Sequence, residues 1–295
     1  GVGENDGVVH DAEDQTIGLE YEVDELQLAL DDNEGFVVQA TDGASGDDLI
    51  LSATITNYRD VAGTITYGGG NIRVAGSNDY TGTTNVKAGT VTLANALGFG
   101  RTELLNVTDG AGVDIDAFSV TLGALSLEER TVFEGKEAAN LTLGGDDYAG
   151  TSSSVAGAHD YAGGIALTDG HTLTMTHVAG LGTSGAMSIS DDSTLILTGA
   201  DGNYGRDLEG SGDVVLQKEA NITLTGSNAD FTGDFSIEEN STLTAAGTDA
   251  SGKSADELLG QGGNVAIASS STLILSEAVG GDWTIDNSVS GEGTL

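Results

Sequence analysis

The stretch VAGSNDYTGTTNVKAGTVTL, residues 74–93, carries the pattern that decides the fold. Gly, Ser, Asn and Asp crowd its first half, where tight turns need them. Val91 and Leu93 then alternate with Thr90 and Thr92, as in a short strand with one buried face. The same alternation recurs at Leu141/Leu143, Leu173/Met175, Leu195/Leu197, Ile222/Leu224 and Leu273/Leu275. Near the N-terminus, Ile17, Leu19, Tyr21 and Val23 share one face. Leu26, Leu28 and Leu30 share the next, after a one-residue slip that reads as a bulge. Helical spacing is scarce, and its best candidate is Ser254–Leu259.

A longer frame appears when apolar residues are paired with an apolar partner six positions on. The heads are Leu30, Val107, Leu127, Leu167, Ile189, Leu216, Ile237 and Ile267, with Val86 a looser match. From Val86 they fall 21, 20, 40, 22, 27, 21 and 30 residues apart. Most intervals are near twenty; the forty reads as two turns, one of them too degenerate to recognise. Two pieces match closely: ISDDSTLIL at 189–197 and IASSSTLIL at 267–275.

Short strands repeating about every 20 residues, with no helical partner, predict an all-β chain wound as a right-handed parallel β-helix, a β-solenoid. The leucine-rich L-x-x-L-x-L-x-x-N spacing is absent. A sandwich or barrel stays open as an alternative, since short strands and frequent turns also fit one. It would leave the shared phase unexplained. At about 20 residues per coil and about 4.8 Å per strand, 295 residues predict roughly 14 coils and a rod of about 70 Å.

Three heads follow a second motif: Asp79-Tyr80-Thr81-Gly82, Asp160-Tyr161-Ala162-Gly163 and Asp230-Phe231-Thr232-Gly233, each aromatic six residues before its head. Asp147-Tyr148-Ala149-Gly150 is a fourth copy without a clear head. Val74–Asn78 and Leu224–Asn228 extend two copies upstream almost identically. The physical reading is an aromatic plug followed by a glycine bend; the rival reading is a sugar-binding platform. This frame resembles the autotransporter-associated β-strand repeat of Gram-negative bacteria, over roughly Ile72 to Leu295. The chain is similar in kind to passenger domains of AIDA-type autotransporter adhesins. That resemblance implies export to the cell surface, anchoring in the outer membrane through a C-terminal barrel, and roles in adhesion, self-aggregation and biofilm growth. It implies repeats over 72–295, an acidic cap or irregular coils over 1–71, and a passenger fragment with the barrel outside it.

Nine basic against 47 acidic residues leave a formal charge of −38, which argues against nucleic acid or an anionic membrane surface as partner. No run of about 18 apolar residues is present to cross a membrane as a helix. Gly1–Asp11 lack the basic and apolar regions of a signal peptide, as expected of a mature or trimmed piece. Without Cys there are no disulfides and no thiol chemistry. The four histidines, His10, His159, His171 and His177, offer little to a catalytic triad, and no G-x-S-x-G elbow occurs. The expectation is a non-enzyme, with glycan hydrolysis or lysis as the enzymatic alternative. Acid pairs such as Asp114/Asp116 and Asp191/Asp192 arise by chance among so many carboxylates. No cofactor is expected beyond weak, diffuse Ca²⁺ binding at turns such as Asp31–Glu34, Asp146-Asp147 and Asp191-Asp192. Gly68–Gly70 and Gly262-Gly263 precede strands, so neither reads as a phosphate cradle. The expected partner is a second copy on a neighbouring cell, or a host surface protein or neutral glycan. Asp109, Asp146, Asp191, Asp201 and Asn240 are the expected contact residues.

Overall fold

Three parallel sheets wrap one apolar axis. The computed structural model describes residues 25–27, 36–39, 49–57, 62–246, 255–276 and 285–295. A long face of twelve strands runs from Phe36–Gln39 to Ser288–Gly291. A split face has six strands, from Leu49–Leu51 to Asp160–Tyr161, and then four, from Asp201–Tyr204 to Thr272–Ser276. A third face has five, from Ser119–Leu122 to Asp207–Gly210. The chain visits them in rotation: Ala124–Leu127 on the long face, Val132–Gly135 on the split face, Asn140–Leu143 on the third, then Ser152–Val155 on the long face again. Every ladder between these strands is parallel, so the fold is the all-β solenoid that the period predicts. Glu25–Gln27 adds a separate parallel pair with Thr54–Thr56.

Seven of the eleven steps along the long face advance 19–22 residues. Others are longer: Leu127 to Val155 is 28 residues and Ile237 to Ile267 is 30. The first carries a 3-10 turn, Asp146–Tyr148; the second carries the helix Ala255–Leu259, where helical spacing was expected. The fourteen expected coils therefore become eleven steps, about 50 Å of rod. Phe36–Gln39 and Leu49–Leu51 are rungs of the same sheets as later coils. The alternation at Ile17–Leu30 lies outside the described residues except for Glu25–Gln27.

The inward side chains stack in columns. On the long face Val86, Val107, Leu127, Val155, Met175, Leu197, Leu216 and Ile237 lie in register, each buried. Each such side chain contributes about 1.5–3 kcal/mol before ordering entropy is subtracted. The column exists because strand period two sends alternate residues inward, and parallel pairing stacks like positions.

One expectation is corrected. The forty-residue interval is not two turns with one degenerate, because its two heads, Leu127 and Leu167, stand on different faces. Val86, Val107 and Leu127 stand on the long face, Leu167 and Ile189 on the third, and Leu216, Ile237 and Ile267 on the long face again. The 40- and 27-residue intervals are the frame stepping one face around the prism and back. The matched nonapeptides show the same freedom. ISDDSTLIL turns from third to long face, whereas IASSSTLIL turns from long to split. Such a segment specifies a corner, whichever faces meet there.

Candidate functional site

The aromatic motif builds one kind of corner three times. Tyr80, Tyr161 and Phe231 are buried, whereas Tyr148 of the fourth copy stays half-exposed and donates to the Arg101 carbonyl at 2.5 Å. Three of the four aromatics are plugs. The glycine that follows each plug is explained by close approach more than by bending. A Cβ on Gly82, Gly163 or Gly233 would lie 2.4, 2.2 or 1.8 Å from a backbone oxygen of the coil below.

An asparagine locks two of these corners. Asn78 accepts the Ile55 N–H at 2.8 Å and donates to the Gly98 carbonyl at 2.6 Å. Asn228 accepts Leu208 N–H at 2.8 Å and donates to the Leu258 carbonyl at 2.6 Å. Each buried amide thus satisfies backbone groups in the coil before and the coil after.

The third corner departs from this. Val155-Ala-Gly-Ala-His159-Asp-Tyr161 places His159 where Asn78 stands in Val74–Tyr80. Its Nε2 lies 3.0 Å from the Ala156 carbonyl within its own loop, so that nitrogen donates. Nδ1 is then a lone-pair acceptor; it is buried and has no hydrogen-bond partner. Burial pulls the ring's pKa below the usual histidine value, partly countered by the Ala156 and Thr131 carbonyls. Here the split face also breaks: after Asp160–Tyr161 the next coil crosses this side as turns and bends over 176–185, and strands resume at Asp201–Tyr204.

Arg206 closes the inside of the break. It is 1% exposed, and its guanidinium donates to the carbonyls of Gly163 and Tyr161, each at 2.9 Å, and of Leu181. It lies 5.6 Å from the centre of the Tyr161 ring. Among the described residues no carboxylate pairs with it; backbone oxygens and an aromatic face replace water around the charge.

The outside of the break is a groove of about 370 Å³ lined by Thr131, Glu134, Ala158, His159, Asp160, Thr183 and Ser184, among others. Asp114, Glu134 and Asp160 occupy register-aligned positions on three successive rungs leading into it. Among the described residues, no Lys or Arg lines it. Negative charge and concave shape coincide there, which makes it the candidate site.

The expected contact residues do not form one cluster. Asp109 and Asn240 lie on turns between the long and split faces, and Asp201 opens a split-face strand. Asp146 and Asp191 lie where the third face turns into the long face. They line the two margins of the long face, all exposed. Asp109 is held by Arg130, whose Nε donates at 2.9 Å and keeps the carboxyl below its ordinary pKa. Asp201 accepts from Asn221 at 2.8 Å. Asn240 sits at φ 63°, a left-handed turn position that Asn tolerates. Beside Asp191, the Asp213 carboxyl is raised above the usual range by partial burial and by Asp234 and Asp191.

The remaining candidates sort clearly. His171 is buried, bonding Ser153 Oγ at 2.8 Å and Thr151 Oγ at 2.9 Å; His177 is exposed. A serine and a histidine thus meet, but inside the column, without an acid on the ring. Among the described residues, no three His, Asp or Glu side chains are placed to hold a metal ion. Gly68–Gly70 and Gly262-Gly263 run into Asn71–Val74 and Asn264–Ile267, both strands. Asp31–Glu34 lies outside the described residues.

Sequence reasoning missed His159 and Arg206. His159 was visible as the one departure from Asn in an aligned corner. Arg206 carries no such signal, because nothing in Gly205-Arg206-Asp207 says that its side chain turns inward.

Over 186 residues the chain is 26% identical to a protein of Escherichia coli (strain K12) described as "Uncharacterized lipoprotein YdeK", a match covering 57% of this chain. The chain spans only 14% of that protein's length. No family model and no solved structure matches the chain.

Proposed function

We propose that this chain is a rigid adhesive segment of a bacterial cell-envelope protein, associating with second copies of itself through its long face. One observation carries the reading. The middle outward position of that face, from Val37 through Asn85, Ser154, Thr174 and Val215 to Ser290, is uncharged on all twelve rungs of a chain with net charge −38. Two rods meet there with the least repulsion, while the acidic margins hold them apart elsewhere. Each polar contact is worth about 0.5–1.5 kcal/mol, so strength comes from repetition along the rod and from many copies per cell.

The relative's description as a lipoprotein supports an envelope location. The resemblance of residues 72–295 to autotransporter passenger repeats supports display at the cell surface. In this reading the chain does no chemistry, and divalent ions act by diffuse screening of the margins. Sedimentation across a salt series tests it: association rises with salt or with Ca²⁺ and is lost when Ser154 and Thr174 are both changed to Asp. Association that weakens with salt, or that survives those charges, refutes it.

A further inference from the structure

We propose that residues 176–185 form an acid-released strap over the break in the split face, let go when His159 and His177 take up protons. This goes beyond self-association and lies on a different side of the rod.

The strap is loosely tied. Where neighbouring coils place strands, 176–185 runs as turns and bends, so no ladder between strands holds it. Its centre is Ala179, and histidines hold both of that residue's backbone groups. The His159 N–H donates to the Ala179 carbonyl at 3.0 Å, and the Ala179 N–H donates to Nδ1 of the His177 ring at 3.0 Å. Further along, Nε of Arg206 donates to the Leu181 carbonyl at 3.1 Å. A guanidinium does not lose its proton in proteins, so that end stays fastened and serves as the hinge. Gly180, Gly182 and Gly185 give the strap a backbone able to swing about it.

Each histidine lets go for its own reason. Nδ1 of His177 accepts only while it carries no proton; protonated, it becomes a second donor facing the Ala179 N–H, and the bond is lost. His177 is exposed, so protons reach it freely. His159 is 6% exposed, a place suited to a neutral ring. Burial holds that ring below its ordinary pKa of 6.5, the Ala156 and Thr131 carbonyls partly offset this, and charge on His177 lowers it further. A charged ring there must move toward water, and the His159 N–H moves with it. The contribution of His159 to the closed strap is therefore complete above pH 6.5 and is lost as pH falls. The other charged groups on the surrounding elements are Glu134 and Asp160 on the rungs below, Glu128, Glu129 and Arg130 in the turn beneath Gly157, and Asp201 beside Gly202, which lies over Val178. Among the described residues, no carboxylate bonds either ring. Release turns the buried Val178 side chain out to solvent while Leu181 stays anchored.

Amide hydrogen exchange of the whole chain between about pH 8 and pH 5 tests this, expressed as protection factors so that the intrinsic pH dependence cancels. The expected result is that protection at His159, Ala179 and Gly182 falls about tenfold on acidification, one pKa unit of linkage, while Leu195 and Leu216 on the long face keep theirs. His177→Gln supplies an acceptor that does not titrate, so the fall shrinks; combined with His159→Asn, it disappears. The proposal is overturned if the native strap keeps its protection in acid, or if the long-face amides lose theirs in step with it. It is equally overturned if His177→Gln, a change at an exposed position, responds to pH as the native chain does, or if the double variant still responds.

Discussion

Asn78 and His159 hold the same place in two copies of one corner, yet only Asn78 joins the coils on either side of it. The amide has a donor and an acceptor on opposite edges, matched to a carbonyl above and an N–H below. The neutral imidazole also has one of each, but its donor turns back to Ala156 and its acceptor finds nothing. The geometry of this one side chain is among the differences between a sealed corner and the open one.

Truncating the seals should cost more than truncating the opening. Asn78→Ala leaves Ile55 N–H and the Gly98 carbonyl without partners, and Asn228→Ala does the same to Leu208 and Leu258. Each should destabilise its coils by about 2–3 kcal/mol. His159→Ala should cost less than either, and His159→Asn should raise stability by restoring the clamp. Urea unfolding followed by site-resolved hydrogen exchange checks this, because solenoid coils need not unfold as one unit. Equal losses at all three positions would refute the clamp.

Arg206 is the costliest single side chain to remove near the break. Arg206→Met strips donors from three buried carbonyls, of Tyr161, Gly163 and Leu181. A loss of about 3–5 kcal/mol is expected, the range for breaking a buried charged network. Arg206→Lys should recover little, since one ammonium cannot span a fork of three oxygens. Exchange protection should fall first in 159–185; a loss spread evenly along the rod would count against this.

Glycines next to plugs and glycines in open turns should respond differently. A Cβ at Gly233 would meet the Gly212 carbonyl oxygen at 1.8 Å, forcing two coils apart. Gly150, at φ 70°, has nothing within 4 Å of the same atom. Gly150→Ala should cost about 1 kcal/mol of left-handed strain. Gly233→Ala should cost several times that, read as the difference in midpoint between the two variants. Similar losses would show that conformation governs both.

His171 should make the coil around it acid-sensitive. Burial pushes its pKa down to about 4 from the ordinary 6.5. The unfolded chain therefore takes up a proton at higher pH than the folded one. The stability tied to the neutral ring is complete above pH 6.5 and is lost as pH falls from 6.5 toward 4. The full loss is at most about 3 kcal/mol. Comparing the native chain with His171→Gln across that window isolates it, since the carboxylates titrate in both. Parallel pH curves for the two proteins would disprove the assignment.

Much of the fold was readable because strand period and coil period act on every residue. Leu173, Met175, Leu195 and Leu197 announce buried, alternating strands, and those strands stack as the twenty-residue spacing requires. The rotation of the frame was not readable. A head such as Leu167 carries no mark of which face it will join, and Val155, the long-face residue between Leu127 and Met175, sits in a serine run that hides it. The groove was harder still. It arises where His159 replaces an amide, 176–185 fails to form a strand, and Arg206 turns inward from two coils away. Three distant positions make it, and only the His-for-Asn exchange shows in a local alignment.

The ability of one repeat to fit any side of the prism bears on how such genes change length. Recombination between Val74–Leu93 and the copy beginning at Leu224 joins segments that both open on the split face, and every downstream surface keeps its bearing. A crossover with the copy beginning at Val155 would swing the whole distal rod one side around, aiming its neutral strip in a new direction, and would exchange the Asn78 clamp for His159. Length and heading can thus diversify separately in this architecture.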